Sequence, residues 1–114
     1  MNLVSFTQVD VTNKDAMRDF FDQNAMVHET IYNTLLGVYQ IEIEHYPLWK
    51  EDITEDDKDW LFVHDKEHKA ISDAISGGTP PDLDTVDFSN QDQMNDWMDA
   101  HYLMHQQIEQ VLGL

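Results

Sequence analysis

Three segments of the chain place apolar residues on one helical face. In each segment an aromatic residue, Phe20, Trp60 or Trp97, is followed by aliphatic residues 11 and 15 positions later. At ~100° per residue, positions 0, +4, +8, +11 and +15 fall within an arc of ~80° on a helix. This pattern predicts an all-α three-helix bundle. The predicted helices lie near 13–46, 53–76 and 90–112.

Each predicted helix has a start signal in the form of a capping box, an oxygen-bearing side chain followed three residues later by a carboxyl residue. The three signals are Thr12-x-x-Asp15, Asp52-x-x-Glu55 and Ser89-x-x-Asp92. The second helix should stop at Gly77-Gly78 and Pro80-Pro81, and the third at Gly113. Short extended segments, Leu3–Val11 and Leu83–Phe88, precede the first and third helices. Val9–Val11 and Val86–Phe88 could alternatively be two short pairing strands.

The first helix is predicted to continue beyond Gly37. A stripe of apolar residues extends to Pro47, which cannot continue a helix. The stripe consists of Tyr32, Leu36, Tyr39, Ile43 and Tyr46.

The chain also contains an internal repeat. Residues 9–37 and 86–114 align without a gap, with ten identities in 29 positions, where about two are expected by chance. A more divergent middle copy, 49–77, keeps the register through Asp59, Trp60, His64, His68 and Ile71. We therefore interpret 1–114 as a single domain built from three copies of a cap–helix unit, 9–37, 49–77 and 86–114.

Histidines occupy the repeat positions between the aromatic and the aliphatic residues, on the face that should point into the core. These candidate site residues are His28, His64, His68, His101 and His105. Each lies near the midpoint of its helix, and midpoints stay level whether neighbouring helices run parallel or antiparallel. The sequence thus predicts one histidine layer inside the bundle. His45 lies outside this stripe and is expected at the surface or in a turn.

Two interpretations of the layer are open. Two imidazoles at i and i+4 can share a metal ion, with zinc or iron as candidates, and Glu29 or Glu67 could supplement them. Alternatively the histidines form a structural layer of hydrogen-bonded rings. We favour this second interpretation from the sequence, because duplication copies a structural histidine as faithfully as a metal ligand.

The composition of the chain limits the functions that we expect for it. The chain has 41% hydrophobic and 11% aromatic residues, enough for a core, and 6 basic against 23 acidic residues give a formal net charge of −17. That charge argues against nucleic-acid and anionic-membrane partners and favours basic protein surfaces. No cysteine is present, and no phosphate loop or G-x-S-x-G sequence occurs, so we expect neither catalytic residues nor an enzyme. Met17, Met26, Met94, Met98 and Met104 are interpreted as core residues.

Three stretches carry a resemblance to a known family. They are Asp59-Trp60-x3-His64-x3-His68-x2-Ile71, Asp82-Leu83-x2-Val86-Asp87-x-Ser89, and Asp96-Trp97-x3-His101-x3-His105-x2-Ile108 up to Leu112-Gly113. Over roughly residues 52–114 the chain resembles small helical His/Trp-repeat proteins encoded among the structural genes of tailed bacteriophages. The first copy departs from this pattern, with Phe20 and Asn24 in place of tryptophan and histidine.

The resemblance implies a non-enzymatic structural or assembly protein of a tailed phage virion, made in the host cytoplasm and present in multiple copies on the capsid, the head–tail connector or the tail. Its partners would be phage structural proteins with basic surfaces. A metal-binding bundle acting as a sensor, a store or a small metalloenzyme is the alternative. An acidic inhibitor that imitates DNA is a weaker one.

Overall fold

The computed structural model describes residues 9–45, 58–75 and 86–114. These residues form three helices, α1 (Lys14–Gly37), α2 (Lys58–Ile75) and α3 (Gln91–Leu112), and no strand occurs among them. The predicted all-α three-helix bundle is confirmed, and the alternative of two pairing strands is wrong. The predicted start of the second helix at Asp52 and its stop at Gly77–Pro81 lie outside the described residues. None of the three helices combines the length and apolar character that crossing a bilayer requires.

All three helices run in the same direction. Before α1, the carbonyl oxygen of Val9 accepts a hydrogen bond of 2.7 Å from the side chain of Gln91, the first residue of α3. After α1, the Tyr39 hydroxyl donates to the carbonyl oxygen of Leu112 at the end of α3, at 2.8 Å. The first turn of α2 joins the same end, because the Trp60 ring lies 6.1 Å from that of Phe20. The bundle is therefore parallel.

Parallel helices place like positions of the three segments at one level. Aromatic and methionine side chains fill the end that holds the helix N-termini, including Phe20, Phe21, Trp60, Phe88 and Trp97. Aliphatic side chains fill the other end, including Ile31, Leu35, Ile71, Ile108 and Leu112. The histidine positions fall between these two clusters. Four of the five methionines assigned to the core are buried, but Met26 is 60% exposed and that prediction was wrong.

The N-caps of α1 and α3 are one residue later than predicted. Asn13 and Asn90 are the cap residues, and their side chains accept hydrogen bonds from the backbone N–H groups of Ala16 and Gln93. The predicted cap Ser89 instead donates from both its N–H and its hydroxyl to Asp87 Oδ1, at 2.9 and 2.6 Å. Thr12 makes the same two bonds to Asp10. In both places, the hydroxyl group that a capping box would use is hydrogen-bonded to the aspartate two residues earlier.

Replacing Asn90 by alanine is expected to destabilise the protein by roughly 1 kcal/mol, because the Gln93 N–H loses its acceptor in the first turn of α3. A thermal melt followed by circular dichroism measures this as a fall of several degrees. Ser89→Ala is the matched control and should cost less than half as much. A larger loss from Ser89→Ala than from Asn90→Ala would contradict this assignment of the cap.

The first helix ends earlier than predicted, at Gly37, and residues 41–45 are not helical. The apolar stripe that suggested a longer helix does not face the core, since Leu36 and Tyr39 are both exposed. Gln40 adopts a left-handed conformation with φ 58°, and the Ile41 N–H donates back to the Leu35 carbonyl oxygen at 2.9 Å. The chain thereby turns back along the bundle. At the other predicted stop, Gly113 ends α3 with φ 74°, as expected.

Candidate metal centre

Five histidine side chains meet at mid-bundle. They are His28, His64, His68, His101 and His105. All five are buried, and one ring nitrogen from each lies within 4.8 Å of the others. Helix α1 supplies one of them, and α2 and α3 each supply two, spaced four residues apart so that both rings project from the same helical face. The predicted histidine layer is confirmed.

Stacking on aromatic rings orients two of the imidazoles. The His64 ring lies 4.8 Å from that of Trp60 with an interplanar angle of 16°, and the His101 ring lies 4.6 Å from that of Trp97 at 13°. Each stacked pair spans one turn of its helix. The indoles thus close the layer on the side of the helix N-termini, and the aliphatic cluster closes the other side.

Few of the ring nitrogens are hydrogen-bonded. His64 Nε2 and His68 Nε2 lie 3.1 Å apart, and His64 Nε2 also lies 3.3 Å from Asn24 Oδ1. Within the described residues, both nitrogens of His101 and of His105 have no hydrogen-bond partner. One nitrogen each of His28, His64 and His68 is also without one there. A structural hydrogen-bonded layer would require far more of these bonds, because a buried unsatisfied polar group costs roughly 1–3 kcal/mol.

Burial favours the neutral form of four of the five imidazoles. Burial lowers the pKa of His64, His68, His101 and His105 well below the ordinary value for histidine, and neighbouring imidazoles lower it further. Desolvation has this effect because the protonated ring loses the hydration that stabilises its charge. At pH 7 each of these rings therefore has one nitrogen with a free lone pair, which is the form that binds a metal ion.

A buried carboxylate contacts the fifth histidine. Glu67 Oε1 lies 3.1 Å from His28 Nδ1 and 3.0 Å from His45 Nδ1. A carboxylate accepts from N–H, so His28 Nδ1 donates to Glu67, and in the neutral form of the ring the lone pair is on Nε2, which has no partner among the described residues. Carboxylates fix ligand histidines in metal sites in the same way. Glu67 and Glu29 do not join the five-histidine group as ligands.

His45 was expected at the surface or in a turn, and the structure gives it an additional role. It follows α1 in the non-helical segment 41–45, but its side chain is only 17% exposed and its ring stacks on Tyr32 at 4.3 Å. Its Nε2 lies 3.1 Å from Glu29 Oε1. Burial lowers the pKa of His45, but the hydrogen bonds and charges of Glu29 and Glu67 outweigh it, so the pKa is raised. When it is protonated, His45 places a positive charge next to buried Glu67.

The comparisons with known proteins add no assignment. No family model, curated protein or solved structure matches the chain. The resemblance to phage structural proteins therefore stays a prediction. Fold and site alone define the class of protein, a parallel three-helix bundle with a buried cluster of five histidines.

Proposed function

We propose that this protein is a metal-binding helical bundle that holds one divalent transition-metal ion among its five buried histidines. The observation that carries the proposal is the convergence of five buried ring nitrogens within 4.8 Å of one another. Nitrogens ~2.1 Å from one ion are ~3.0 Å apart at 90° and ~4.2 Å apart at 180°. A contraction of about half an ångström across the cluster would bring all five into coordination distance.

The donor set selects the class of metal. Neutral imidazole suits zinc, iron, copper and nickel, whereas calcium and magnesium prefer carboxylate and carbonyl oxygens. The chain has no cysteine, so no thiolate competes for a softer ion. Because four of the five ligand histidines, His64, His68, His101 and His105, are already neutral, binding does not have to displace protons from those four at pH 7.

The proposed role of the ion is structural. Its ligands come from all three helices, and parallel helices align their dipoles unfavourably side by side, so an ion shared at mid-bundle would hold them together. The aromatic cluster and the aliphatic cluster enclose the layer on both sides. Five protein ligands leave little room at one ion for a substrate. These features favour a metal-stabilised bundle over a metalloenzyme.

Metal removal tests the proposal. Native mass spectrometry and elemental analysis of protein purified without chelator should give one metal ion per chain. Stripping it with a strong chelator should lower the melting temperature by roughly 10–20 °C, because saturation at 1,000 times the Kd is worth about 4 kcal/mol. Adding the ion back should restore the original melt. Absence of stoichiometric metal, together with an unchanged melt after addition of zinc, iron(II), cobalt(II) or nickel(II), would exclude the proposal.

A place in a phage virion is a separate prediction, and a metal-stabilised bundle is compatible with it. The net charge of −17 supports docking on a basic protein surface. Co-sedimentation of the protein with assembled particles would support this role, whereas salt-sensitive capture of a DNA-binding protein would favour the DNA-mimic alternative.

A further inference from the structure

One polar side chain in the histidine layer is not a histidine. Asn24 is only 3% exposed, and its Oδ1 lies 3.3 Å from His64 Nε2. Its Nδ2 has no hydrogen-bond partner among the described residues. In the repeat, Asn24 occupies the position that His64 and His101 occupy in the other two helices. A buried amide at this place therefore needs an explanation.

Together with Asn24, the five histidines form two stacked triangles, with one member of each triangle on each helix. The lower triangle consists of His28, His68 and His105, whose ring centroids are 4.6, 4.9 and 5.2 Å apart. The upper triangle consists of Asn24, His64 and His101. In α2 and α3 the upper and lower rings are 4.3 Å apart. Three rings at one level, and two rings with one amide at the other, are the side chains that a six-coordinate site would need.

The short distances in the layer agree with six-coordination. In a tetrahedral site every pair of ligand atoms is ~3.4 Å apart, whereas an octahedral site combines adjacent pairs at ~3.0 Å with opposite pairs at ~4.2 Å. The distance of 3.1 Å between His64 Nε2 and His68 Nε2 matches an adjacent octahedral pair, and the limit of 4.8 Å on the separations within the group leaves room for opposite pairs. The Asn24 oxygen adds a further adjacent contact at 3.3 Å.

We propose that Asn24 Oδ1 is the sixth ligand, which completes an octahedron of five nitrogens and one oxygen. This inference rests on the proposed metal-binding function and specifies the class of ion. The site should prefer iron(II), cobalt(II) or nickel(II), which accept six ligands, over zinc, which in structural sites is almost always tetrahedral.

Titration of the metal-free protein with Co²⁺ tests the assignment. Six-coordinate Co²⁺ absorbs weakly in the visible range, whereas lower coordination numbers absorb more strongly. We expect weak bands for the natural sequence. Asn24→Leu, which keeps the branching at Cγ without a donor atom, should give stronger bands and an affinity roughly 10-fold to 100-fold lower. Asn33→Leu is the matched control, since Asn33 is exposed on the same helix, and it should behave like the natural protein.

A second variant covers the case in which Asn24→Leu does not fold. Asn24→Asp keeps the oxygen and adds a charge, so it should retain the weak bands and bind Co²⁺ at least 10-fold more tightly. Unchanged spectra and affinity in the Leu variant, unchanged affinity in the Asp variant, or strong bands in the natural protein would overturn the role of Asn24 and leave the five-histidine site intact. Failure of the natural protein to bind Co²⁺ or any other ion tested would overturn both proposals.

Discussion

Acidifying the metal-free protein from pH 7 to pH 5 is expected to unfold it. Burial lowers the pKa of His64, His68, His101 and His105 well below the ordinary value, so these rings are neutral in the folded chain and protonate readily in the unfolded one. The unfolded state therefore binds more protons, and stability is lost as the pH falls below ~6.5. With an unfolded-state pKa near ~6.5, each group that stays neutral in the folded chain lowers the free energy of unfolding by up to about 2 kcal/mol at pH 5. A typical domain has a total stability of about 5–15 kcal/mol.

Two other effects act in the opposite direction, and both are smaller in this range. Protonation of carboxylates would relieve repulsion in a chain of net charge −17, but ordinary carboxyl pKa values lie near ~4, below the window considered. The pKa of His45 is raised, so its interactions with Glu29 and Glu67 stabilise the fold at low pH and weaken as the pH rises through that pKa. One such group opposes four buried ones.

Thermal melts of the metal-free protein at closely spaced pH values between 7.5 and 5, with the chelator present, measure the effect. A parallel series without chelator is run on the metal-loaded protein. We expect the melting temperature to fall steeply below pH 6.5, and we expect the metal-loaded protein to retain its fold to a lower pH. A melting temperature that holds or rises between pH 7 and pH 5 would show that the histidines are not held neutral by burial.

The existence of the layer was predictable because the histidines share a helical face with large apolar residues. Trp97 and Ile108 have apolar area to bury, and the helical period then carries His101 and His105 inward with them. The parallel direction of the helices was not predictable, because residues at helix midpoints stay level in either arrangement. The hydrogen bond from Tyr39 to Leu112, which shows that α1 and α3 end together, involves residues far apart in the sequence.

The errors of prediction have local causes. The stripe from Tyr32 to Tyr46 has helical spacing in the sequence, but Leu36 and Tyr39 are exposed, whereas Ile31 and Leu35 on the neighbouring face of α1 are buried. The role of His45 depends on where the chain turns back after Gln40, and no periodic pattern encodes that turn. Asn24 departs from the repeat, in which the other two copies have histidine at this position. Its burial in the layer is what makes it a candidate metal ligand.

A stable core would not ordinarily contain so many unpartnered polar groups. Each buried imidazole has one N–H group and one lone pair, and leaving these unsatisfied costs free energy in the metal-free protein. A concentration of unsatisfied polar atoms at one level of a bundle is typical of a functional site. A bound ion would satisfy one nitrogen of every ring and would offset that cost.

Replacing His105 by leucine is therefore expected to separate stability from metal binding. Both ring nitrogens of His105 lack a partner among the described residues, and the side chain is fully buried next to Met104 and Ile108. Leucine has a similar size and no polar atom, so the metal-free variant should gain roughly 1–3 kcal/mol. Its melting temperature should rise by at least several degrees. The same substitution removes one of five ligands, so metal affinity should fall more than 100-fold.

Met104→Leu is the control for packing, since it changes a neighbouring buried side chain of α3 that is not a candidate ligand. A swap between these two side chains usually costs less than ~1.5 kcal/mol, and metal binding should be retained.

In acid, His105→Leu should also lose about a quarter of the pH dependence of stability, because three rather than four strongly shifted histidines remain. A structural hydrogen-bonded layer predicts the opposite result for His105→Leu. The metal-free variant would then lose stability, because removal of the His105 ring would leave its hydrogen-bond partners unsatisfied. Whether the melting temperature of the variant rises or falls therefore distinguishes the two interpretations.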